Sequence, residues 1–350
     1  MVAIDELRAR ARELLDSGKV RAVLGYQRSS AGMLAEPVSI TAPEAVDALI
    51  WDATCVHNLA LYLVNEKKRQ KQQRGTDARP LAIIAKGCDS RAIVVLLQEN
   101  HIRRDEVVIL GVSCESGGVI DPKKLAKALD GKAATALGLV ADGAIKANTA
   151  TTATTADGEV SLAAVDVLAD RCLECRTPYP AQSDSLFGEK MEREPHLPRF
   201  TAVNAIAAQS AEQRSAFWSG HFERCIRCYA CRAVCPLCYC DECVVDSSSH
   251  VVAANTTADE KANRIRWIQR SNSPADNAMY HMVRAMHLAG RCIDCGECER
   301  VCPVNIPLRL LNNSLEREAL EMFEYAPGLD PTQPSLIASF KDGDPNDFIR

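Results

Sequence analysis

The chain has 350 residues, 47% hydrophobic and 25% charged, the length and composition of two or three soluble globular domains. A net charge of −5 and an aromatic content of 5% argue against nucleic acid or an anionic membrane as partner, since these need concentrated Lys/Arg and, for bases, stacking rings. The opening MVAIDELRARARELLDSG is an amphipathic helix rather than a signal peptide, and no apolar run reaches the roughly 18 residues of a membrane helix, so a cytoplasmic chain without a membrane span is expected.

After that helix, 20–25 is a short strand. Helices are predicted over 43–50 and from Thr54 into the basic stretch 66–74. LAIIAK (81–86) and VVILGV (107–112) are continuous apolar runs, the pattern of buried parallel strands. A helix follows each, 90–100 and 122–129, and this β-α-β-α order makes an α/β layer. The Thr/Ala tract 148–155, with Asp157-Gly158 behind it, reads as two polar edge strands and a hairpin turn. A helix over 162–170 precedes a cysteine pair, and the four prolines of 177–198 mark a boundary. Residues 200–218 and 256–288 are helical by pattern, and the last 25 residues are expected to be an extended tail wrapping a neighbour or partner.

Sixteen cysteines are the outlier, and eleven fall between Cys225 and Cys302. Without an export signal such thiols stay reduced, and reduced, clustered cysteines point to metal. Cys225, Cys228, Cys231 and Cys235-Pro236 make one C-x2-C-x2-C-x3-C-P motif; Cys292, Cys295, Cys298 and Cys302-Pro303 make a second. This is the spacing of two-cluster bacterial ferredoxins. Three cysteines two residues apart wrap a loop around one 4Fe-4S cubane, and the fourth, on the following helix, points to the other cluster. One cluster is thus assigned to Cys225, Cys228, Cys231 and Cys302, the other to Cys292, Cys295, Cys298 and Cys235. Two zinc sites are the alternative, although zinc motifs use two pairs rather than a triplet plus C-P. The long stretch 236–291 suits the α-helical dicluster type. The expected organisation is an α/β domain with a short, mostly parallel sheet over 1–190, a connecting helix at 191–220, a mainly α-helical dicluster ferredoxin-like domain at 221–310 with a helical insert at 244–291, and a C-terminal helix and tail at 311–350.

Cys88 follows the first buried strand and Cys114 the second; parallel strands bring their C-terminal ends to one sheet edge, where ligands of open α/β folds bind. The C-x2-C loop of Cys172 and Cys175 can close that edge into a third site, for a cluster or zinc, unless the four are buried free thiols. KGCDSRAI, the strand ending in GVSC, and CLECRTPYP with Asp184 and Gly188 resemble the β subunits of deazaflavin-coenzyme-reducing hydrogenases and related formate dehydrogenases, over residues 80–190. The resemblance implies a 4Fe-4S cluster on Cys88, Cys114, Cys172 and Cys175, FAD, and electron passage between clusters and a deazaflavin. It implies partners that are other subunits of a redox complex of the formate dehydrogenase, hydrogenase or heterodisulfide-reductase-like kind. No G-x-G-x-x-G fingerprint accompanies it.

Cys238, Cys240 and Cys243 follow the first motif, and Cys55 lies far upstream; together they offer a fourth cluster, with structural thiols or zinc as alternatives. Asp89 reads as a helix cap. Arg91, Arg227 and Arg291 beside the cysteines are candidates to offset cluster charge. No triad, P-loop or paired-carboxylate arrangement is evident. The expected function is a non-catalytic iron–sulfur electron-transfer subunit of a soluble oxidoreductase complex in an anaerobic host. The second reading is an FAD-containing β subunit that itself oxidises or reduces a deazaflavin or nicotinamide.

Overall fold

The computed structural model describes residues 4–30, 34–72, 77–114, 117–130, 133–139, 144–152, 155–190, 192, 194–241, 243–245, 257–259, 268 and 271–340. They divide into two units, residues up to 199 together with 327–340, and residues 200–326. The connecting helix expected at 191–220 therefore splits away from the first unit at residue 200.

In the first unit, helix α1 (Ile4–Asp16) buries Leu7, Ala11, Leu14 and Leu15, the stripe of an amphipathic helix. Its further helices are α2 (Ala60–Gln72), α3 (Gly87–Gln98), α4 (Pro122–Ala128), and the single turns α5 (Ala164–Val167) and α6 (Asp170–Leu173). The described strands are β1 (Ala22–Arg28), β2 (Ala35–Ile40), β3 (Leu81–Ala85), β4 (Val107–Val112), β5 (Ala133–Leu139), β6 (Ala144–Thr152), β7 (Thr155–Ala163) and β8 (Ser185–Phe187). Five of them form a sheet in the order β2-β1-β3-β4-β8, antiparallel only between β1 and β2. Every residue of β3 is buried, and Leu7 and Leu14 share a core with Val23, Ile84, Leu110 and Phe187. Ala85 pairs with Gly111, so β3 and β4 release their chains side by side at one edge.

Several sequence expectations shift for physical reasons. The strand β2 escaped notice because AEPVSI carries a proline; as the sheet's edge it has no inner ladder to donate to. The Thr/Ala tract does build strands, but in a separate antiparallel sheet β5-β6-β7. Thr152 pairs with Thr155, so the reversal precedes Asp157-Gly158, which lies inside β7. The register slips between Thr149 and Ala150, opposite Gly158 and Ala156, as glycine in a ladder often signals. The helix expected at 162–170 is broken because Leu168 turns extended and bridges Ile120. The proline-rich boundary instead supplies β8, where the Asp184 carboxylate accepts the Ile109 N–H at 2.7 Å. Residues 43–50 form a 3-10 turn over Pro43–Ala48. The tail returns to its own first unit: Arg91 donates to the Pro327 carbonyl at 3.0 and 2.9 Å, and Gln98 to that of Gln333 at 2.5 Å. Arg91 therefore clamps the tail.

The second unit holds α7 (Thr201–Ala207), α8 (Ala211–Phe222), α9 (Ala230–Ala233), α10 (Pro274–Leu288), α11 (Glu297–Arg300) and α12 (Leu308–Phe323). Ser210 accepts the Gln213 N–H at 3.2 Å, an N-cap that splits the helix expected over 200–218 into two. Of the helix expected at 256–288, Pro274–Leu288 is present, capped by Ser273; most of its first half lies outside the described residues. Among the described residues no helix is long and apolar enough to cross a membrane.

Candidate iron–sulfur centres

The two C-x2-C-x2-C-x3-C-P segments fold alike. Arg227 and Tyr229 in the first, and Asp294 and Gly296 at the matching places in the second, all have left-handed backbone, with φ of 56°, 59°, 58° and 65°. Each loop then enters a one-turn helix, α9 or α11, which carries Cys231 or Cys298. Left-handed geometry costs a non-glycine residue roughly 1–3 kcal/mol, so three such residues report loops held in shape by what they surround. The sulfurs also receive hydrogen bonds. The Arg227 N–H donates to Cys225 at 3.4 Å and the Ile306 N–H to Cys302 at 3.3 Å. The Tyr280 hydroxyl lies 3.5 Å from Cys231, and the Asn312 amide donates to Cys298 at 3.8 Å. Asn277 on α10 supports the first loop from behind, donating to the Phe222 and Cys225 carbonyls at 3.0 and 2.8 Å.

The two motifs pack against each other. One recess is lined by Cys292, Cys295 and Cys298 together with Cys235 of the other motif, with Leu237 and Ile293 as apolar walls. Cys225, Cys231, Cys298 and Cys302 meet in a buried cluster with Tyr280, Ile306 and Leu308, and Cys228 is exposed. Burial pushes the Cys225 thiol up, carries Cys298 to about 12 against the pull of Arg284, and raises Cys292 well above its usual range, with Glu316 and Asp294 adding to it. Thiols so placed become thiolates when a cation binds them. Among the described residues no three His, Cys, Asp or Glu converge tightly enough to hold a single metal ion. The fit to a cluster rests on all-sulfur donors and paired loops.

In the first unit the sheet edge gathers Cys88, Cys114, Cys172 and Cys175. The Cys114 thiol is pushed well up by burial and then by Cys88, Cys172 and Cys175. Two close approaches fix the arrangement. A Cβ on Gly87 would lie 2.3 Å from the Thr177 carbonyl oxygen, and one on Gly118 (φ +138°) 2.6 Å from the Cys172 sulfur. Cys114 donates its N–H to the Pro178 carbonyl at 2.6 Å, and the Val119 N–H donates to the Cys172 sulfur at 3.4 Å. These contacts explain why KGC, GVSC and CLECRTPYP occur in one chain: each is a wall of the same site. Behind it, Lys86 is fully buried, with its ammonium 3.0 Å from Asp89 and 2.7 Å from the Tyr26 hydroxyl, and also bonded to the His57 carbonyl. Asp89 accepts the Lys86 and Leu59 N–H groups as well, so it caps α3 and anchors the lysine.

The last four cysteines lie in different surroundings. Cys55 is a core thiol of the first unit. It is fully buried, donates to the Ile50 carbonyl at 3.9 Å and accepts the Asp52 N–H at 3.5 Å. Burial, then Asp52, pushes it up to about 12, and no cysteine stands among the charged groups that act on it. Cys238, in the second unit, faces Cys235, Arg284 and Arg291, and is drawn down to about 5, first by Cys235 and then, against burial, by Arg284. Cys240 is exposed and Cys243 half-buried. Sequence reading gave α10 as part of a helix over 256–288 but did not single out Asn277, Tyr280 and Arg284, which lie with His281 on its buried face. Polar residues at i, i+3, i+4 and i+7 on a face that packs inward were the available signal. Arg291 lies over the Tyr239 ring, and Arg227 over Tyr280 at 4.6 Å.

Comparison with known proteins agrees with this division. Residues 221–306 match the 4Fe-4S dicluster domain. The F420-dependent formate dehydrogenase subunit beta of Methanocaldococcus jannaschii is 30% identical over 121 residues, 34% of this chain and 27% of that protein. The F420-dependent formate dehydrogenase 1 subunit beta of Methanococcus maripaludis is 26% identical over 120 residues, 34% of this chain and 26% of that protein. A chain of the F420-reducing NiFe hydrogenase complex from Methanosarcina barkeri aligns with a TM-score of 0.35 and 12% identity, over 48% of this chain and 57% of that one. The chain thus spans about a quarter of the length of the curated relatives it matches. It is an iron–sulfur protein that carries a dicluster domain and resembles, over 34% of its length, the β subunits of F420-dependent formate dehydrogenases.

Proposed function

We propose that the chain is an electron-relay subunit of a cytoplasmic multisubunit oxidoreductase. Cys225, Cys228, Cys231 and Cys302 would hold one 4Fe-4S cluster, Cys292, Cys295, Cys298 and Cys235 a second, and Cys88, Cys114, Cys172 and Cys175 a third. Such clusters, when bound, take up and release single electrons at potentials set by charge, hydrogen bonding and exposure around them. The chain's own residues aim N–H and O–H groups at sulfur and ask no side chain to act as acid, base or nucleophile. The observation that carries the reading is the recess in which Cys235 joins the cysteines of the other motif, because sharing ligands across motifs keeps two centres close enough to exchange electrons. The test is iron and acid-labile sulfide on the anaerobically reconstituted full chain. About 12 iron per chain is expected, four for each cluster. About 8 would remove the third site, about 16 would require the fourth set, and zinc in place of iron would overturn the relay.

A second reading rests on the relatives, whose names make them F420-dependent: an FAD-containing subunit that itself reduces or oxidises a deazaflavin or nicotinamide. The start of α3, the natural seat for a dinucleotide pyrophosphate on this sheet, does not fit it. Asp89 already takes the Lys86 N–H there at 3.1 Å, and the Thr177 carbonyl abuts Gly87. Stoichiometric FAD released on denaturation would favour this reading; iron and sulfide without flavin would leave the relay.

A further inference from the structure

Arg284 on α10 is only 4% exposed. One of its terminal nitrogens donates to the Cys231 carbonyl at 2.8 Å, while its Nε has no hydrogen-bond partner and, among the described residues, no carboxylate pairs with it. A buried charge without a partner is strongly destabilising; here the partners are thiols, and Cys238, outside both ligand sets proposed for the second unit, hydrogen-bonds to the guanidinium. The groups facing it are Cys238, Cys231, Cys235 and Cys298. Cys231 belongs to one assigned ligand set, and Cys235 and Cys298 to the other. The Tyr280 hydroxyl, one turn earlier on the same helix, also reaches the Cys231 sulfur.

We propose that Arg284 is a positioning residue of the relay, a single buried counter-charge shared by both clusters of the second unit that favours the added electron on either one. The inference rests on the two-cluster reading above. In the step concerned, one electron arrives from a one-electron donor, the cluster gains it, and no bond forms or breaks. Reduction adds negative charge beside a cation that water does not screen, and nearby charge is one of the determinants of cluster potential.

The test is a dithionite-poised redox titration of the reconstituted full chain, followed by electron paramagnetic resonance, on wild type, Arg284→Gln, Arg284→Met and Arg284→Lys, with iron and sulfide measured on each. Both neutral variants are expected to keep eight iron in the dicluster unit (about four per cluster) and to weaken the reduction equilibrium of both clusters about tenfold, a fall of about 59 mV for one electron. Arg284→Lys, which keeps the charge but not the fork, is expected to restore most of that loss. Full iron with both potentials unchanged overturns the proposal, and a shift confined to one cluster overturns the sharing. If the neutral variants do not hold iron, Arg284→Lys decides alone. Wild-type potentials support the counter-charge, and a tenfold weakening of both means that the guanidinium acts by its hydrogen bonds instead. Wild-type protein without iron would instead refute the two-cluster reading itself.

Discussion

The two cysteine regions place a buried cation beside buried thiols and balance it in opposite ways. In the first unit, burial opposes the charge on Lys86, but Asp89 and Tyr26 outweigh it and hold the ammonium well above its ordinary value. That charge is closed by side chains of the chain itself. In the second, Arg284 has thiols in place of a carboxylate. The ligand topologies differ in the same sense. Cys88, Cys114, Cys172 and Cys175 are delivered by strand ends and a loop far apart in sequence, whereas the dicluster ligands sit on two short loops with matching left-handed turns.

The sharpest way to break this comparison is to remove ligands in pairs. The crossed assignment predicts that Cys225→Ser with Cys302→Ser strips one cluster, about four iron per chain, whereas Cys302→Ser with Cys292→Ser strips two, about eight. The reverse pattern, about eight iron lost with the first pair and about four with the second, read by iron content and paramagnetic resonance, would sink the crossing. Cys114→Ser is expected to cost about four iron and leave both dicluster signals intact.

Next in size is the ion pair. Lys86→Met leaves Asp89 charged and buried, and such a broken pair costs about 3–5 kcal/mol, measurable by urea unfolding of the metal-free chain. Lys86→Met combined with Asp89→Leu is expected to recover much of that loss, because replacing a whole buried pair with apolar groups is often neutral. An additive double variant would mean that Lys86 stabilises the sheet edge through Tyr26 and the His57 carbonyl instead.

This contrast also marks what could be read from sequence. The dicluster ligands were legible because their geometry is local: spacing alone dictates which sulfurs share a loop. Cys88 and Cys114 were legible one step further on, through the rule that parallel strands open at a common edge, and LAIIA and VVILGV are apolar enough to be recognised as strands. Cys55 was grouped by arithmetic, and its burial and its bond to the Ile50 carbonyl are features that no spacing encodes. Lys86 and Arg284 were passed over for one reason: a cation's value here lies in the three-dimensional absence or presence of a carboxylate, and no spacing encodes that. The tail was legible as extended, but its docking on Arg91 and Gln98 depends on contacts across more than 230 positions.

The smallest expected effect separates the units by pH. His281 is buried on α10, stacked on Phe222 with ring centroids 4.9 Å apart, and neither ring nitrogen has a partner among the described residues. Burial, reinforced by Arg284 and Arg227, holds it down to about 3 from the ordinary 6.5. The folded ring is thus neutral where the unfolded one takes a proton, so the unfolded state binds more protons between these values. Stability is full above pH 6.5 and falls as acid is added, by at most about 1.4 kcal/mol per pH unit. In the first unit, Lys86 is held above its usual value, far from this window, and adds no slope there. His281→Phe keeps a flat ring against Phe222 and removes the titrating group. Unfolding of the metal-free variant between pH 7 and 5.5 should therefore lose this slope. A variant that stays as acid-sensitive as wild type would show that the second unit's pH response arises elsewhere, and that its buried cations do not reach this histidine.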